Sequence, residues 1–191
     1  MKKIILASAS LRRKELLQQI GLEFEVDPSN CEEVMHNDIE PHELAKSLSL
    51  QKAEEVARRH SDAIIIAADT FIVFGNMLLG KARTNTEAKG MLKELNGKLH
   101  SVITGFTVID ASDNRVSSQA VETKVWFRKL SEKEIESYVK SGEPIGKAGA
   151  YAIQGMGSVI VKGIEGDYSN VVGLPLTSLT KVLRGFGVSV L

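Results

Sequence analysis

The chain has 191 residues, of which 43% are hydrophobic and 25% are charged, an ordinary composition for a globular domain with its own core. Its 24 basic and 24 acidic residues give a formal net charge of zero, so no overall basic field would hold nucleic acid or an anionic membrane. The single cysteine, Cys31, excludes an intrachain disulfide, and neither it nor the four histidines show metal-ligand spacing. We therefore expect one cytoplasmic domain, residues 1–191, with neither nucleic-acid nor membrane partners.

The chain begins with a candidate anion-binding unit. A short apolar strand over residues 4–6, too short for a signal peptide, leads into a turn of small residues. Apolar residues at helical spacing then predict a helix over residues 11–20 that has a serine N-cap and ends at Gly21. Backbone N–H groups at the start of this helix, together with the guanidinium groups of Arg12 and Arg13, would bind an anion there. The unit lacks the glycines of a Walker loop, and two arginines on a helix are more commonly a solvated face.

An acidic loop and a long helix follow. Glu32 and Glu33, in the polar loop over residues 27–38, could reach a divalent cation, although most acidic loops are only solvated. The longest predicted helix covers residues 41–59, and Lys52 falls near the centre of its apolar stripe. A lysine at such a position either extends its ammonium group to solvent or points into a polar site beside the core.

The strand predicted over residues 64–70 is the centre of the chain. Three isoleucines followed by two alanines indicate a strand buried on both faces, because a half-exposed strand would alternate. This run ends in Asp69 and Thr70. Since ligands of open α/β sheets bind at the carboxyl ends of such strands, Asp69 is a candidate catalytic carboxylate. The alternative is that the two residues only begin a turn.

The second half of the chain predicts further strands and helices, with a hairpin turn at Gly75-Asn76. Its glycine-rich run, residues 143–157, matches neither a linker nor a low-complexity repeat and indicates backbone that passes close to a ligand. The other predicted elements are strands over 24–26, 71–74, 77–79, 101–110, 116–127 and 159–164, a helix over 84–95 capped by Thr84 or Asn85, a helix with a capping box from Ser131 to Gly142, a loop over 166–170 and a helix over 176–186.

Five short motifs in this order resemble those of the Maf family of nucleoside triphosphate pyrophosphatases. Each motif is weak alone, but together they are specific, and the likeness extends from Ile4 almost to the C-terminus. The chain departs from the family at Leu11 and Ala82, where proline is usual, and at Glu32, where aspartate is usual; none of these changes removes a reactive group. The motifs are Ser8-Ala9-Ser10-Leu11-Arg12-Arg13, Ala68-Asp69-Thr70, Gly80-Lys81, Gly146-Lys147-Ala148-Gly149-Ala150-Tyr151 with Gln154-Gly155, and Asn170-Val171-Val172-Gly173-Leu174-Pro175.

The resemblance implies an α/β fold similar to that of ITPases, with a long curved mixed β-sheet flanked by helices and two lobes around a deep nucleotide-binding cleft. It implies hydrolysis of a small-molecule nucleoside triphosphate to the monophosphate and pyrophosphate, with Mg²⁺ or Mn²⁺ as cofactor. Members of the family are often dimeric, so a homodimer is one arrangement that the resemblance allows.

The resemblance also implies roles for individual residues. Asp69 would take a proton from the attacking water and, together with Glu33, would hold the metal through oxygen. Glu32 is the alternative to Glu33. Lys81 and Lys52 complete the catalytic set, and the substrate-binding residues are Ser8, Arg12, Arg13, Thr70 and Gln154.

The resemblance also implies the base specificity, because Arg12, Thr70 and Gln154 match the branch of the family that hydrolyses dTTP and UTP. A glutamine amide can accept from N3–H of thymine or uracil and donate to a neighbouring carbonyl, whereas a guanine-type base would favour a carboxylate. The alternatives are a pyrophosphatase for modified nucleotides such as 7-methyl-GTP, a septation-linked interaction protein, and a phosphatase that acts on monophosphates.

Overall fold

The computed structural model describes residues 2–31 and 38–191, so the predicted ligands Glu32 and Glu33 lie outside the described part of the chain. The fold is the expected mixed α/β one, with a seven-stranded sheet in the order β2-β1-β3-β5-β6-β7 and β4 paired to β3. The strands are β1 Lys3–Leu6, β2 Glu25–Val26, β3 Ala63–Phe74, β4 Met77–Leu79, β5 Leu99–Asp110, β6 Arg115–Phe127 and β7 Val161–Glu165. The helices are α1 Leu11–Gln19, α2 Pro41–Ala57, α3 Asn85–Leu95, α4 Glu132–Lys140, α5 Tyr168–Val172 and α6 Leu176–Gly185.

The chain divides into two compact units, and the first comprises Met1–Asp69, Thr104–Val121 and Gly173–Leu191. In it, β1 runs parallel to both β2 and β3. The part of β3 that belongs to this unit is buried at every position, because a central parallel strand is covered on both faces. One core cluster of the unit contains Ile5, Ala7, Ala53, Val56, Ala63, Ile65, Ala67 and Ile109.

Helix α2 packs closely on β5 in this unit. The helix begins at Pro41, and the Glu40 side chain caps it by accepting from the backbone N–H of Glu43. A Cβ atom built on Gly105 of β5 would lie 2.0 Å from the carbonyl oxygen of Ala45. Gly105 therefore allows the backbones of the strand and the helix to approach more closely than any side chain would permit.

The second unit comprises Thr70–Ile103 and Glu122–Val172. Its helices have the caps that the sequence predicts: Thr84 accepts from the N–H of Glu87 at the start of α3, and Ser131 and Glu134 form a capping box at α4. Strands β6 and β7 pair antiparallel in this unit. Its core includes Ile72, Leu92, Leu95, Val102, Val125, Phe127, Ile135, Tyr138 and Tyr151.

The expectation that the central strand ends at Asp69 and Thr70 is wrong. Strand β3 continues to Phe74, so Asp69 lies within the strand. The reason is that Phe71 to Phe74 is also rich in β-forming side chains, and its last three residues pair with β4 across the Gly75-Asn76 turn.

Two predictions near the C-terminus are also corrected. The strand expected over 159–164 begins only at Val161, because Gly155–Val159 forms a 3₁₀ helix. The loop expected over 166–170 contains the start of α5, Tyr168–Val172. Here the Asp167 carboxylate accepts from the backbone N–H groups of Ser169 and Asn170 and thereby caps the short helix. No helix in the part of the chain that the structure describes is long and apolar enough to cross a membrane.

Candidate active site

The turn between β1 and α1 is built around a buried arginine. Arg13 donates from Nε to the carbonyl of Gly173 over 2.8 Å and from one terminal nitrogen to Oγ of Ser8 over 3.2 Å. Ser8 Oγ also accepts from the backbone N–H of Ser10, the N-cap residue, whose own side chain makes no cap hydrogen bond. These contacts fix the small-residue turn and bring the first and last motifs of the sequence together. Arg12, the residue before Arg13 in α1, is half-buried.

A buried ion pair connects α2 to the central strand. Lys52 donates from Nζ to Oδ1 of Asp69, and the two side chains are only 10% and 5% exposed. Of the two orientations open to Lys52 from the sequence, the structure has the inward one. The attraction between the opposite charges offsets part of the cost of removing each from water. The contact holds the Asp69 carboxylate of β3 against helix α2.

In the second unit, the Gly80-Lys81 motif pairs with the glycine-rich run. Lys81 and Ala148 form an isolated antiparallel bridge, and the Lys81 side chain is exposed. Backbone bonds extend this pairing on both sides: Ala82 N–H donates to Lys147, Gly146 N–H to Ala82, and Gly149 N–H to Gly80. The fold thus joins two motifs that lie more than sixty residues apart, as the bridge from 81 to 148 shows.

Gln154 immediately precedes the 3₁₀ helix Gly155–Val159 and is half-buried, with an extended backbone at φ −95° and ψ 170°. The carboxylate of Glu143 accepts from the backbone N–H groups of Met156 and Gly157 at the start of this helix. Sequence reasoning missed Glu143, since one glutamate before a proline carries no periodic signal. The only signal for Glu143 in the sequence was the nearby glycine-rich turn, whose backbone N–H groups need a hydrogen-bond acceptor.

The structure therefore distributes the predicted site residues over both units. It brings Ser8 into contact with Arg13, and Lys52 into contact with Asp69, in the first unit. Thr70, Lys81 and Gln154 belong to the second unit. Glu33 lies outside the described residues.

The donor chemistry at Asp69 fits a hard divalent cation. Mg²⁺ is usually held by one or two carboxylates together with substrate phosphates and water, so it needs no large cluster of protein ligands. Residues 2–31 and 38–191 contain no group of three or more His, Cys, Asp or Glu side chains that could hold a metal.

Comparison with known proteins gives one consistent result. A family model described as "Maf-like protein" matches residues 3–186. A dTTP/UTP pyrophosphatase of Pelotomaculum thermopropionicum is 45% identical over 191 residues, which is 100% of both chains. The dTTP/UTP pyrophosphatase of Methanosarcina mazei is 48% identical over 191 residues, covering 100% of this chain and 97% of the relative. That of Alkaliphilus oremlandii is 49% identical over 185 residues, 96% of each chain.

Among solved structures, the Ham1 protein of Staphylococcus aureus aligns with a TM-score of 0.55 and 13% sequence identity. The alignment covers 97% of this chain and 100% of the Ham1 chain. At this identity the likeness shows a shared fold and nothing about activity.

Proposed function

Because this chain belongs to the Maf family, we propose that it is a nucleoside triphosphate pyrophosphatase that hydrolyses dTTP and UTP to the monophosphate and pyrophosphate. The observation that carries the proposal is the full-length match to relatives that bear that activity in their names. The same family membership supports a cytoplasmic enzyme, with a homodimer as one arrangement of its chains.

In this proposal the reaction forms a bond between a water oxygen and the α-phosphorus and breaks the α–β bridging P–O bond, so that pyrophosphate leaves. Asp69 accepts the proton of the water. The ammonium group of Lys52 holds the Asp69 carboxylate in one orientation. Little covalent chemistry falls to the protein, so positioning and charge neutralisation carry most of the catalysis.

Cationic and hydroxyl groups bind the triphosphate. Lys81 supplies an exposed ammonium group, and the Ser8 turn supplies a hydroxyl and helix amides. Arg13 uses two of its donor groups within the protein, so it acts both by charge and by fixing the shape of this turn. A divalent cation, Mg²⁺ or Mn²⁺, would be held by Asp69 and Glu33 and would neutralise phosphate charge when bound.

The base is selected by Gln154, Arg12 and Thr70. The Gln154 amide oxygen accepts from N3–H of thymine or uracil, and its NH₂ group donates to a carbonyl of the ring. Cytosine has an acceptor at N3 and a donor outside the ring, so an amide held in the orientation that fits thymine or uracil loses its bond at N3 and leaves buried polar groups unpaired. We therefore expect dTTP and UTP to be much better substrates than CTP.

A turnover screen with Mg²⁺ tests the proposal. Purified protein is incubated with dTTP, UTP, CTP, GTP and 7-methyl-GTP, and pyrophosphate and orthophosphate are measured separately. We expect pyrophosphate from dTTP and UTP, with Asp69→Asn slower by about 10²–10⁴-fold. Faster turnover of 7-methyl-GTP than of dTTP would overturn the base assignment. Release of orthophosphate in place of pyrophosphate would identify a phosphatase, and no turnover at all would favour an interaction protein.

A further inference from the structure

The Glu143 carboxylate accepts hydrogen bonds from a tyrosine of α4 and from two backbone N–H groups of one turn in the second unit. Its Oε1 accepts from the hydroxyl of Tyr138 and from the backbone N–H of Gly157, each over 2.8 Å. Its Oε2 accepts from the backbone N–H of Met156 over 3.0 Å. Both amides are at the start of a 3₁₀ helix, where N–H groups otherwise have no partner within the helix and a negative charge is favoured.

Tyr138 holds the other end of the same turn through a hydrogen bond. It is 5% exposed, and its hydroxyl oxygen accepts from the backbone N–H of Ala152 over 3.2 Å. Residues 152–157 are therefore held at both ends, at Ala152 by Tyr138 and at Met156 and Gly157 by Glu143. Gln154 lies in the middle of this held segment.

Two glycines allow the backbone of this segment to approach its hydrogen-bond partners closely. A Cβ atom on Gly155, which has φ +66°, would lie 2.4 Å from Oε2 of Glu143. A Cβ atom on Gly157 would lie 2.0 Å from the carbonyl oxygen of Ala152 and 2.7 Å from the Tyr138 hydroxyl. The carboxylate thus sits directly against the backbone that carries Gln154.

We propose that Glu143, supported by Tyr138, is a positioning residue that sets the direction in which Gln154 meets the pyrimidine base and so determines the preference for dTTP and UTP over CTP. This inference rests on the proposed function. Two hydrogen bonds from one amide to a ring edge require the amide to be placed within about 0.5 Å, and a flexible backbone cannot maintain that placement. Glu143 touches neither phosphate nor water in this role.

The test compares kcat/KM for dTTP with kcat/KM for CTP in Glu143→Gln. This variant keeps the size of the side chain but replaces one acceptor oxygen with a donor NH₂ group. We expect the dTTP-to-CTP ratio to fall by roughly tenfold or more, mainly through a higher KM for dTTP, because misplacement by about 1 Å can cost that much or more. Hydrogen exchange of the Met156 and Gly157 amides should become faster.

Three further variants make the result specific. Tyr138→Phe should lower the ratio less than Glu143→Gln does, and it supplies the same readout if Glu143→Gln fails to fold. Glu136→Gln, a matched loss of one carboxylate from α4 whose partner is Lys89, should leave the ratio unchanged. In a Gln154→Ala background, Glu143→Gln should have no further effect on the ratio, because Glu143 acts through Gln154.

A ratio that stays at the wild-type value while activity with dTTP and CTP falls equally would overturn the inference and leave Glu143 a merely structural residue. Additive effects of Glu143→Gln and Gln154→Ala on the ratio would overturn it as well. Either of these two results would overturn the role of Glu143 and leave the proposed function of the wild-type protein intact. Failure of the proposed function would be recognised separately, as absence of pyrophosphate release from dTTP and UTP by the wild-type protein, and the inference would fall with it.

Discussion

At the scale of single residues, the Lys52–Asp69 pair explains why a lysine occupies the apolar stripe of a helix. Both side chains are almost fully buried, and an unpaired charge in such a place would be costly. The same contact means that the two residues depend on each other for stability as well as for the proposed chemistry.

We therefore predict strong coupling between the two positions in a double-mutant cycle. Lys52→Met and Asp69→Asn should each lower the free energy of unfolding by about 3–5 kcal/mol, since each leaves a buried charge without its counter-charge. The double variant should lose clearly less than the sum of the two. Urea unfolding followed by circular dichroism measures all four proteins, and additive losses would show that the pair is not coupled.

His100 is a further buried titratable residue. It lies in β5, shares a hydrogen bond of 2.8 Å between its Nε2 and the hydroxyl of Tyr151, and packs edge-on against the rings of Tyr151 and Phe127. No partner of its Nδ1 is found among the described residues. Burial lowers the pKa of His100 from 6.5 to about 4, and burial also raises the pKa of Tyr151 above its usual value.

This lowered pKa predicts a loss of stability in mild acid. Between pH 6.5 and pH 4 the unfolded chain binds a proton at His100 and the folded chain does not, so the free energy of unfolding falls as the pH drops through that window. Over the whole window the loss from this group is on the order of 3 kcal/mol, and above pH 6.5 it contributes no pH dependence.

The measurement is the free energy of unfolding from pH 7 to pH 4 for the wild type and His100→Gln. Other groups titrate in both proteins, so the readout is the difference between the two curves, which should be steeper for the wild type. Parallel curves for wild type and His100→Gln would contradict the prediction.

At the scale of secondary-structure elements, the placement of α2 matters most because this helix carries Lys52. Its position on β5 depends on Gly105, where the backbones meet. Protein interiors are close-packed, so a helix cannot move by the width of a methyl group without disturbing the contacts along its length.

Gly105→Ala should consequently destabilise the protein by about 1–3 kcal/mol or more, because the new methyl group meets the Ala45 carbonyl, which is backbone and cannot rotate away. Gly90→Ala in α3 is the matched control: nothing lies within 4 Å of the added Cβ, and it should stabilise by about 0.5–1 kcal/mol. Thermal unfolding distinguishes the two. Equal melting temperatures for Gly105→Ala and wild type would refute the close approach.

At the scale of the whole molecule, the family motifs are divided between two compact units. The Ser8 turn, Lys52 and Asp69 belong to one unit, and Lys81 and Gln154 belong to the other. Local sequence signals cannot reveal this division, because β3 passes from the first unit to the second between Asp69 and Thr70 without a break in the strand.

The proposed enzyme as a whole should depend on a divalent cation. Removal of metal with EDTA should stop pyrophosphate release from dTTP, and added Mg²⁺ or Mn²⁺ should restore it, because the phosphate charge needs neutralisation. Glu33→Gln should raise the Mg²⁺ concentration for half-maximal rate, with Glu32→Gln as the matched control. A shift in Glu32→Gln and none in Glu33→Gln would move the ligand to Glu32, and full activity in EDTA would remove the metal from the proposal.

By itself, the sequence determined most of the elements in their order, the caps of α3 and α4, and the family; it missed α5 and the 3₁₀ helix Gly155–Val159. The features that it determined depend on local periodicity, on caps such as Ser131 with Glu134, and on motifs read in order. Only the tertiary structure decided that Lys52 turns inward to Asp69, 17 residues away, and that Glu143 caps the amide of Gly157, 14 residues away. Both contacts join groups that are distant in the sequence, and their geometry depends on packing that no local pattern encodes.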